Sequence, residues 1–211
     1  MKRPRYDYLR DPAAIYKRSF ALIEAEADLT RFPPEMRKLA LRLAHAAGDT
    51  AILDDLAWSE NSMAAGKQAL AAGAPILVDS RMVAAGIIGD RLAGKSDIIC
   101  TLGDPKTEEL ARRLETTRSA AAVELWRPHL SGAVVAIGNA PTALFHLLEM
   151  IAEGAPRPAL VLGFPVGFVG AAEAKAALAE FGDALDFILL RGRRGGSALA
   201  AAAVNALADG T

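Results

Sequence analysis

Two ionisable side chains that could do acid–base chemistry lie three residues apart in the first third of the chain. Arg42 and His45 belong to residues 39–48, where alanine and leucine favour a helix and Gly48 is a typical left-handed helix end. The spacing places both side chains on one helical face. The negative end of a helix dipole favours imidazolium, so His45 can release and recover a proton near neutrality. The pair therefore predicts general acid–base catalysis; the structural alternative is a histidine that caps its own helix.

A serine interrupts the apolar face of the helix that is predicted upstream. Asp11 followed by Pro12 is a typical helix start, and the helix is expected to run to Glu26. The Ser19 hydroxyl either bonds back to the carbonyl of residue 15 or faces a buried ligand, and the spacing leaves both readings open. The predicted face consists of Ile15, Ser19, Leu22 and Ile23.

The chain changes character at Gly73, from helical stretches to apolar runs that alternate with helices. Further helices are predicted over residues 33–48, 50–58 and 61–72, and strands over 75–79, 97–101, 133–137, 159–162 and 185–190. This order predicts an α/β fold in which a helical N-terminal third precedes a mostly parallel sheet of about five strands, flanked by helices. We expect a single domain over residues 1–211.

Glycine and arginine are concentrated where the predicted strands end. The carboxyl ends of parallel strands meet at one edge of a sheet, which is where such folds bind ligands. Glycine lets backbone amides approach a ligand, and arginine binds carboxylate or phosphate in a bidentate manner. These turns predict a rim that binds several negative groups; the alternative is that the glycines only serve the turns. The segments are residues 79–81, 138–142, 163–170 and 191–197, the last with Arg191, Arg193 and Arg194.

Residues 89–96 match the phosphate-loop pattern GxxxxGK[ST] letter for letter. That loop works when a strand precedes it and a helix follows, so that backbone amides and the lysine reach phosphates. Here a strand is predicted after it, and helix or loop before it. The order is reversed, which makes an ATP-dependent transferase acting through Lys95 a weak alternative.

Composition excludes several classes of protein. The formal net charge of −1 argues against a nucleic-acid partner, and Cys100, the one cysteine, excludes an internal disulfide. No run reads as a membrane span, residues 1–8 lack the apolar core of a signal peptide, and no metal-ligand spacing such as HExxH occurs. We expect a soluble cytoplasmic protein that needs no metal. His146, in an apolar run, is predicted to be a partnered interior or interface histidine.

Taken together, these segments resemble the precorrin-8X methylmutase family, the corrin-ring isomerases of vitamin B12 biosynthesis. The resemblance runs nearly end to end and in order. It departs from the usual motifs at Ala47 and Val78, where cysteine is common in the family; neither cysteine is needed for the chemistry. The matching stretches are residues 6–8, 15–20, 45–48, 73–79, 82–83, 116–121, 135–144, 165–173, 191–193 and 195–197.

The resemblance implies a methyl shift from C-11 to C-12 of precorrin-8X that gives hydrogenobyrinic acid, with no cofactor and no redox agent. It also implies a homodimer with a large site near the dimer interface. On this basis His45 is the predicted general acid–base. The predicted substrate-binding residues are Ser19, Arg42, Asp79, Arg118, Asn139, Arg191, Gly195 and Ser197.

Three alternatives stay open at this point. The same shift on cobalt-precorrin-8 uses homologous isomerases, and a non-catalytic corrinoid carrier would explain the polyanion rim but not the Arg42–His45 pair. The ATP-dependent transferase is the third. For the isomerase, substrate and product differ by one methyl position, so we expect product release to limit turnover, with handover of the product to the next enzyme of the pathway.

Overall fold

The computed structural model describes residues 6–208 and centres on a six-stranded sheet in the order β1-β6-β5-β4-β2-β3. Neighbouring strands are parallel except β1 and β6, which are antiparallel. The predicted α/β class with a mostly parallel sheet is confirmed. Residues 1–5 and 209–211, the ends of the predicted single domain, lie outside the described residues. The strands are β1 (Leu56–Trp58), β2 (Ile76–Val78), β3 (Ile98–Ile99), β4 (Val134–Ile137), β5 (Leu160–Gly163) and β6 (Phe187–Leu190).

Helices connect the strands, and two of them precede the sheet as predicted. The Asp11 carboxylate caps the first helix by accepting the amides of Ala13 and Ala14, both at 3.2 Å. The second helix ends at Gly48, whose φ of 64° is left-handed. The helices are α1 (Pro12–Glu26), α2 (Pro34–Ala47), α3 (Ser62–Ala71), α4 (Arg81–Gly86), α5 (Pro105–Arg113), α6 (Arg118–Glu124), α7 (Pro141–Ala152), α8 (Ala171–Glu180) and α9 (Ser197–Ala208).

The helix predicted over residues 50–58 is wrong. The Asp49 carboxylate accepts the amide of Ala51 at 2.8 Å and starts a 3-10 segment, Thr50–Asp55. The chain then extends into β1, where Leu56 is in register with Leu190 of β6. A three-residue edge strand is too short to show the alternation of apolar and polar residues that identifies a strand. This sixth strand was therefore predicted as part of a helix.

The apolar face predicted for α1 is also partly wrong. Ile15 is 45% exposed and Leu22 is 52% exposed, whereas Ile23 is buried. Residues of α1 that meet α2 include Ser19, whose hydroxyl contacts His45, and Phe20, whose ring contacts the same histidine. Because α1 packs chiefly on α2, it buries only a narrow stripe, and neighbouring apolar positions stay outside it.

Two apolar cores cover the two faces of the sheet. Ile76 and Val78 of β2 join the core beneath α2, α3 and α9, whereas Leu77 between them joins the core beneath α7 and α8. Because both faces are covered, the strands read as continuous apolar runs rather than as alternating ones. No helix within residues 6–208 has the length and apolar character needed to cross a membrane.

A small ionic cluster joins α6 to α7 on the outer surface. Nε2 of His146 lies 2.8 Å from a carboxylate oxygen of Glu124, and Nε of Arg127 donates to the other oxygen at 2.7 Å. This agrees with the prediction of a partnered histidine. The hydrogen bond from Arg127, supported by the one with His146, lowers the pKa of Glu124 against the opposing effect of partial burial.

This lowered pKa predicts how stability depends on pH. A carboxyl group with a lower pKa in the folded state stabilises the fold above its ordinary pKa of 4.5 and loses that contribution as the pH falls. Urea unfolding should therefore show that Glu124→Gln lowers the free energy of unfolding by about 1 kcal/mol at neutral pH. The difference should shrink in acid. The exposed Glu180→Gln serves as control and should change neither value; an equal loss at both pH values would contradict the linkage.

Candidate active site

His45 projects from the last turn of α2 onto one face of α1. Its Nδ1 atom lies 2.8 Å from the Ser19 hydroxyl oxygen. The Phe20 ring meets the imidazole edge to face, with centroids 5.4 Å apart. The Ser19 hydroxyl therefore contacts a residue of the neighbouring helix, which neither reading of the sequence anticipated, and its contact with a ligand stays a prediction. The imidazole is therefore held in place on one side while it remains exposed to solvent.

Tyr16 completes this face and was missed as a site residue. Its ring centroid lies 5.7 Å from that of His45, and the Arg42 guanidinium carbon lies 6.0 Å from the same ring. Arg42 and His45, predicted to be neighbours, thus flank one tyrosine. Tyr16, Ser19 and Phe20 follow the i, i+3, i+4 spacing of a helical face, and this spacing could have identified them.

The contacts of His45 leave one ring nitrogen for a substrate. Ser19 occupies Nδ1, while Nε2 makes no hydrogen bond to any residue in the range 6–208. A histidine held through one nitrogen, with the other exposed, has the geometry of a general acid or base. The adjacent rings of Tyr16 and Phe20 on α1 suit a flat conjugated ligand better than a small polar one.

Asp79 follows β2 at the carboxyl edge of the sheet and is only 2% exposed. Its two carboxylate oxygens accept the amides of Gly138 and Asn139 at 2.9 Å and of Ala140 at 2.8 Å. Burial raises the pKa of Asp79, and the three amides partly oppose this shift. The carboxylate is thus committed to the turn before α7 rather than to open space, which departs from the predicted substrate contact. Asn139 remains exposed at this turn.

The loop after β6 approaches the loop after β5 so closely that it requires glycine. A Cβ atom on Gly195 would collide with the carbonyl oxygens of Phe164 and Pro165. The amide of Gly196 donates to the Phe164 carbonyl at 2.8 Å. Ser197 then opens α9, and its hydroxyl lies 3.1 Å from that of Ser80. The loop therefore presents backbone amides and hydroxyl groups along the carboxyl edge of the sheet.

The arginines of this loop have different surroundings. Arg194 donates to the Asp55 carboxylate at 2.7 Å, to the Asp49 carboxylate at 3.1 Å and to the Ala51 carbonyl at 3.1 Å. It therefore ties the loop to the segment that follows Gly48, next to His45. Arg191 is exposed, and the Arg193 guanidinium lies 5.3 Å from the ring centroid of Phe168.

Arg118, at the start of α6, shares a cavity of about 320 Å³ with Arg81, which lies in the predicted rim segment 79–81 but was not among the predicted substrate-binding residues. One nitrogen of the Arg118 guanidinium donates to the Leu102 carbonyl at 3.3 Å. A Cβ atom on Gly103 would collide with the Arg81 guanidinium, so glycine makes room for this second cation. The position of Arg81, two residues after Asp79 at a strand end, was the available signal. The two guanidinium groups suit a carboxylate ligand.

The 191–197 loop joins these parts into one rim. At one end Arg194 reaches Asp49, which lines a cavity of about 150 Å³ beside Ser19 and His45. At the other end Ser197 reaches Ser80, which lines the cavity of Arg81 and Arg118. His45, Ser197 and Arg118, three of the predicted site residues, are thus linked through the loop by contacts and shared cavities.

The phosphate-loop pattern takes no part in this rim. Residues 89–91 form a 3-10 turn, and the motif leads into β3 rather than into a helix. The predicted reversal of strand and helix is therefore confirmed, and Lys95 lacks the following helix N-terminus that phosphate binding requires.

Comparison with known proteins agrees with this geometry. The family model described as precorrin-8X methylmutase (CbiC) matches residues 14–210. A precorrin-8X methylmutase of Pseudomonas aeruginosa is 58% identical over 96% of this chain and 97% of its own length. A precorrin-8X methylmutase of a Sinorhizobium species is 56% identical over 97% of this chain and 98% of its own length. A cobalt-precorrin-8 methylmutase of Priestia megaterium is 35% identical over 93% of this chain and 87% of its own length.

A solved structure supports the same relationship at the level of the fold. The precorrin-8X methylmutase of Thermus thermophilus superimposes with a TM-score of 0.84 at 42% sequence identity, covering 93% of this chain and 94% of that one. The family model matches nearly the whole chain, two relatives are more than half identical to it, and a solved member has the same fold. The chain belongs to the precorrin-8X methylmutase family.

Proposed function

We propose that His45 is the general acid–base of the methyl shift that this chain catalyses. As a precorrin-8X methylmutase, the chain is an isomerase of cobalamin biosynthesis. The observation that carries the proposal is the exposed imidazole held by Ser19 through Nδ1 at 2.8 Å, with Nε2 directed to no described residue.

The reaction balances without a co-reactant. The methyl group leaves C-11 and bonds to C-12 of the same ring as a sigmatropic shift, so substrate and product have one formula and no electrons are gained or lost. Protonation of a ring position favours the migrating tautomer. His45 supplies that proton and recovers it after migration, a role worth about 10²–10⁴-fold in rate. Arg42 and Tyr16 flank the macrocycle at this point.

The acetate and propionate side chains of the macrocycle bind along the rim. Arg118 and Arg191 supply guanidinium groups, while Asn139, the Gly195 amide and Ser197 supply neutral donors. Asp79 supports this surface indirectly, because its carboxylate holds the turn that carries Asn139. The remaining acceleration comes from holding a flexible macrocycle in the migrating geometry.

We propose metal-free precorrin-8X as the substrate and hydrogenobyrinic acid as the product. The relatives at 58% and 56% identity carry the name of that substrate, whereas the relative named for the cobalt form shares 35%. Cobalt-precorrin-8 is the second candidate. A non-catalytic corrinoid carrier would leave His45 without a role. Limiting product release, handover to the next enzyme and a cytoplasmic location stay predictions.

We also propose a homodimer that completes the site. The cavity beside His45 holds about 150 Å³, whereas sites for drug-sized ligands span about 300–1,000 Å³. Apolar side chains stand uncovered at this end of the molecule, with Leu22 at 52% exposure in the same cavity. A second protomer would enlarge the site and cover this surface.

Turnover tests the role of His45. Purified wild type mixed with precorrin-8X should give the visible spectrum of hydrogenobyrinic acid, and His45→Ala should slow this by about 10²–10⁴-fold with product affinity unchanged. Ser19→Ala should cost about tenfold, because the imidazole loses its partner. His129→Ala, on an exposed turn, is the control. Wild-type rates in His45→Ala would exclude the role; a bound but unchanged pigment would favour cobalt-precorrin-8 or a carrier.

Arg118 should act on affinity rather than on the chemical step. Arg118→Ala removes a guanidinium from a carboxylate that is bound equally in ground and transition states, so KM should rise about tenfold with little change in kcat. Arg112→Ala, an exposed arginine on the preceding helix, should leave both constants unchanged. Steady-state kinetics distinguish the two cases. Unchanged KM for Arg118→Ala would remove this contact.

The oligomer is tested by light scattering with size-exclusion chromatography at the enzyme concentration used for assay. The expected mass is twice that of one protomer, because the uncovered surface beside His45 requires a partner. Leu22→Asp places a charge on that surface and should shift the equilibrium toward monomer with a parallel loss of turnover. Lys67→Asp, on the exposed side of α3, is the control. A fully active monomer would contradict the proposal.

A further inference from the structure

Lys175, in the middle of α8, is a buried cation to which the proposed mechanism assigns no task. Only 1% of its surface is exposed. Its Nζ atom donates to the Arg194 carbonyl oxygen at 2.6 Å. Burial lowers the pKa of Lys175 to about 8, and the nearby Asp55 carboxylate opposes this shift. Lysine is rarely buried to this degree, because its ammonium group loses hydration, so its contact with the loop needs an explanation.

The contact orients one peptide group of the rim. The Arg194 carbonyl and the Gly195 N–H belong to the same peptide plane, and no peptide bond within residues 6–208 is cis. In a trans peptide these two groups point in opposite directions. An ammonium on the carbonyl side therefore turns the Gly195 N–H away from α8. That N–H donates to no described residue, so it is available to a ligand.

The same ammonium makes Gly195 a better donor. A cation bound to a carbonyl oxygen draws electron density from its peptide group, which strengthens the N–H as a donor to an anion. The loop also needs external support. Gly192 and Gly196, with φ values of 74° and 128°, lie in a region that favours glycine, and glycine is the residue with the most backbone freedom to lose. Arg194 is held on both sides, its side chain by Asp49 and Asp55 and its carbonyl by Lys175.

We propose that Lys175 is a positioning residue that fixes the Arg194–Gly195 peptide so that the Gly195 amide binds a carboxylate of the corrinoid. This inference rests on the proposed function, since it assumes that the rim binds the acidic side chains of the macrocycle. Lys175 does not touch the substrate. It acts through the backbone of the loop, and its effect is on affinity.

The charge of Lys175 should appear in the pH dependence of binding. Asp55 faces it from the 3-10 segment and pairs with the Arg194 guanidinium, while Glu173 on the same helix is exposed. Because Lys175 has a pKa near 8, its charge is lost as the pH rises through that value. Carboxylates and arginines stay charged from about pH 7 to 9.5. Wild-type affinity for hydrogenobyrinic acid should therefore weaken about threefold over this range at constant ionic strength.

The decisive variant is Lys175→Met, which keeps an unbranched apolar stem and removes the donor. Binding of hydrogenobyrinic acid, followed by quenching of tryptophan fluorescence, should weaken about tenfold with kcat nearly unchanged and with no further loss between about pH 7 and 9.5. Its melting temperature should not fall, because the desolvated charge is removed along with the hydrogen bond. Lys67→Met, on the exposed side of α3, is the matched control and should behave as wild type.

Each outcome bears on a different statement. Unchanged affinity in a folded Lys175→Met protein, while wild type turns over normally, would overturn the positioning role and leave the methylmutase function intact. If the variant does not fold, the wild-type titration decides, and an affinity that is flat across the pH range overturns the inference. Failure of wild type to bind or convert the corrinoid would contradict the proposed function and this inference with it.

Discussion

The carboxylate of Asp79 holds together the part of the structure on which the rim depends. Three amides of the turn after β4 donate to it, and the buried amide of Gly138 would cost about 1–3 kcal/mol if it were left without an acceptor. This turn also lies where two helices begin. A Cβ atom on Gly138 would collide with the Cα atom of Ser197 and with the side chain of Val83. One buried anion therefore fixes the distance between the starts of α7 and α9, and every donor along the rim is placed relative to that turn.

His45, the proposed general acid–base, has a separate support. His45 stands on α2, which packs chiefly against α9, α1 and the 3-10 segment Thr50–Asp55. Its connection to the rim passes through Arg194, which spans from the glycine-rich loop to Asp49 and Asp55. Exposed ion pairs contribute little to stability one at a time. Here two carboxylates and a backbone carbonyl accept from one guanidinium, and together they fix its orientation. The proposed transfer of a proton to a macrocycle requires such fixed geometry.

The sequence predicted what depends on local chemistry. The capped start at Asp11, the glycine end at Gly48 and the apolar runs of the buried strands are visible in a few consecutive residues, and the structure confirms them. Errors arose where a distant partner decides the outcome. The edge strand β1 forms because β6 offers it hydrogen bonds, and the buried side of α1 is set chiefly by α2.

The candidate site shows the same difference between features set by local sequence and features set by distant partners. His45 and Ser19 could be singled out from helical spacing, but their contact joins two helices and needed the fold. Asp79 was expected to face a ligand because it follows a strand, while the turn that takes its carboxylate lies about sixty residues away in the chain. Arg194 was expected to bind an anionic ligand with the other arginines of its loop, but it donates to Asp55 and Asp49. Lys175 could not be assigned, since a lysine in an alanine-rich helix reads as a solvated residue until its partner is known.

The separation of the two supports matters for catalysis. Carboxylates far from the migrating methyl group keep their charge throughout the reaction, so the proposed donors along the rim would bind substrate, transition state and product with similar strength. Such binding concentrates and orients the macrocycle but does not lower the barrier from the bound state. Lowering it requires a group whose interaction changes as the methyl group moves, and in the proposed mechanism a proton on the exposed nitrogen of His45 is that group. The proposed functions thus assign the two tasks to different parts of the fold: binding to a rim supported by buried Asp79 and Lys175, and proton transfer to an exposed imidazole linked to that rim through Arg194.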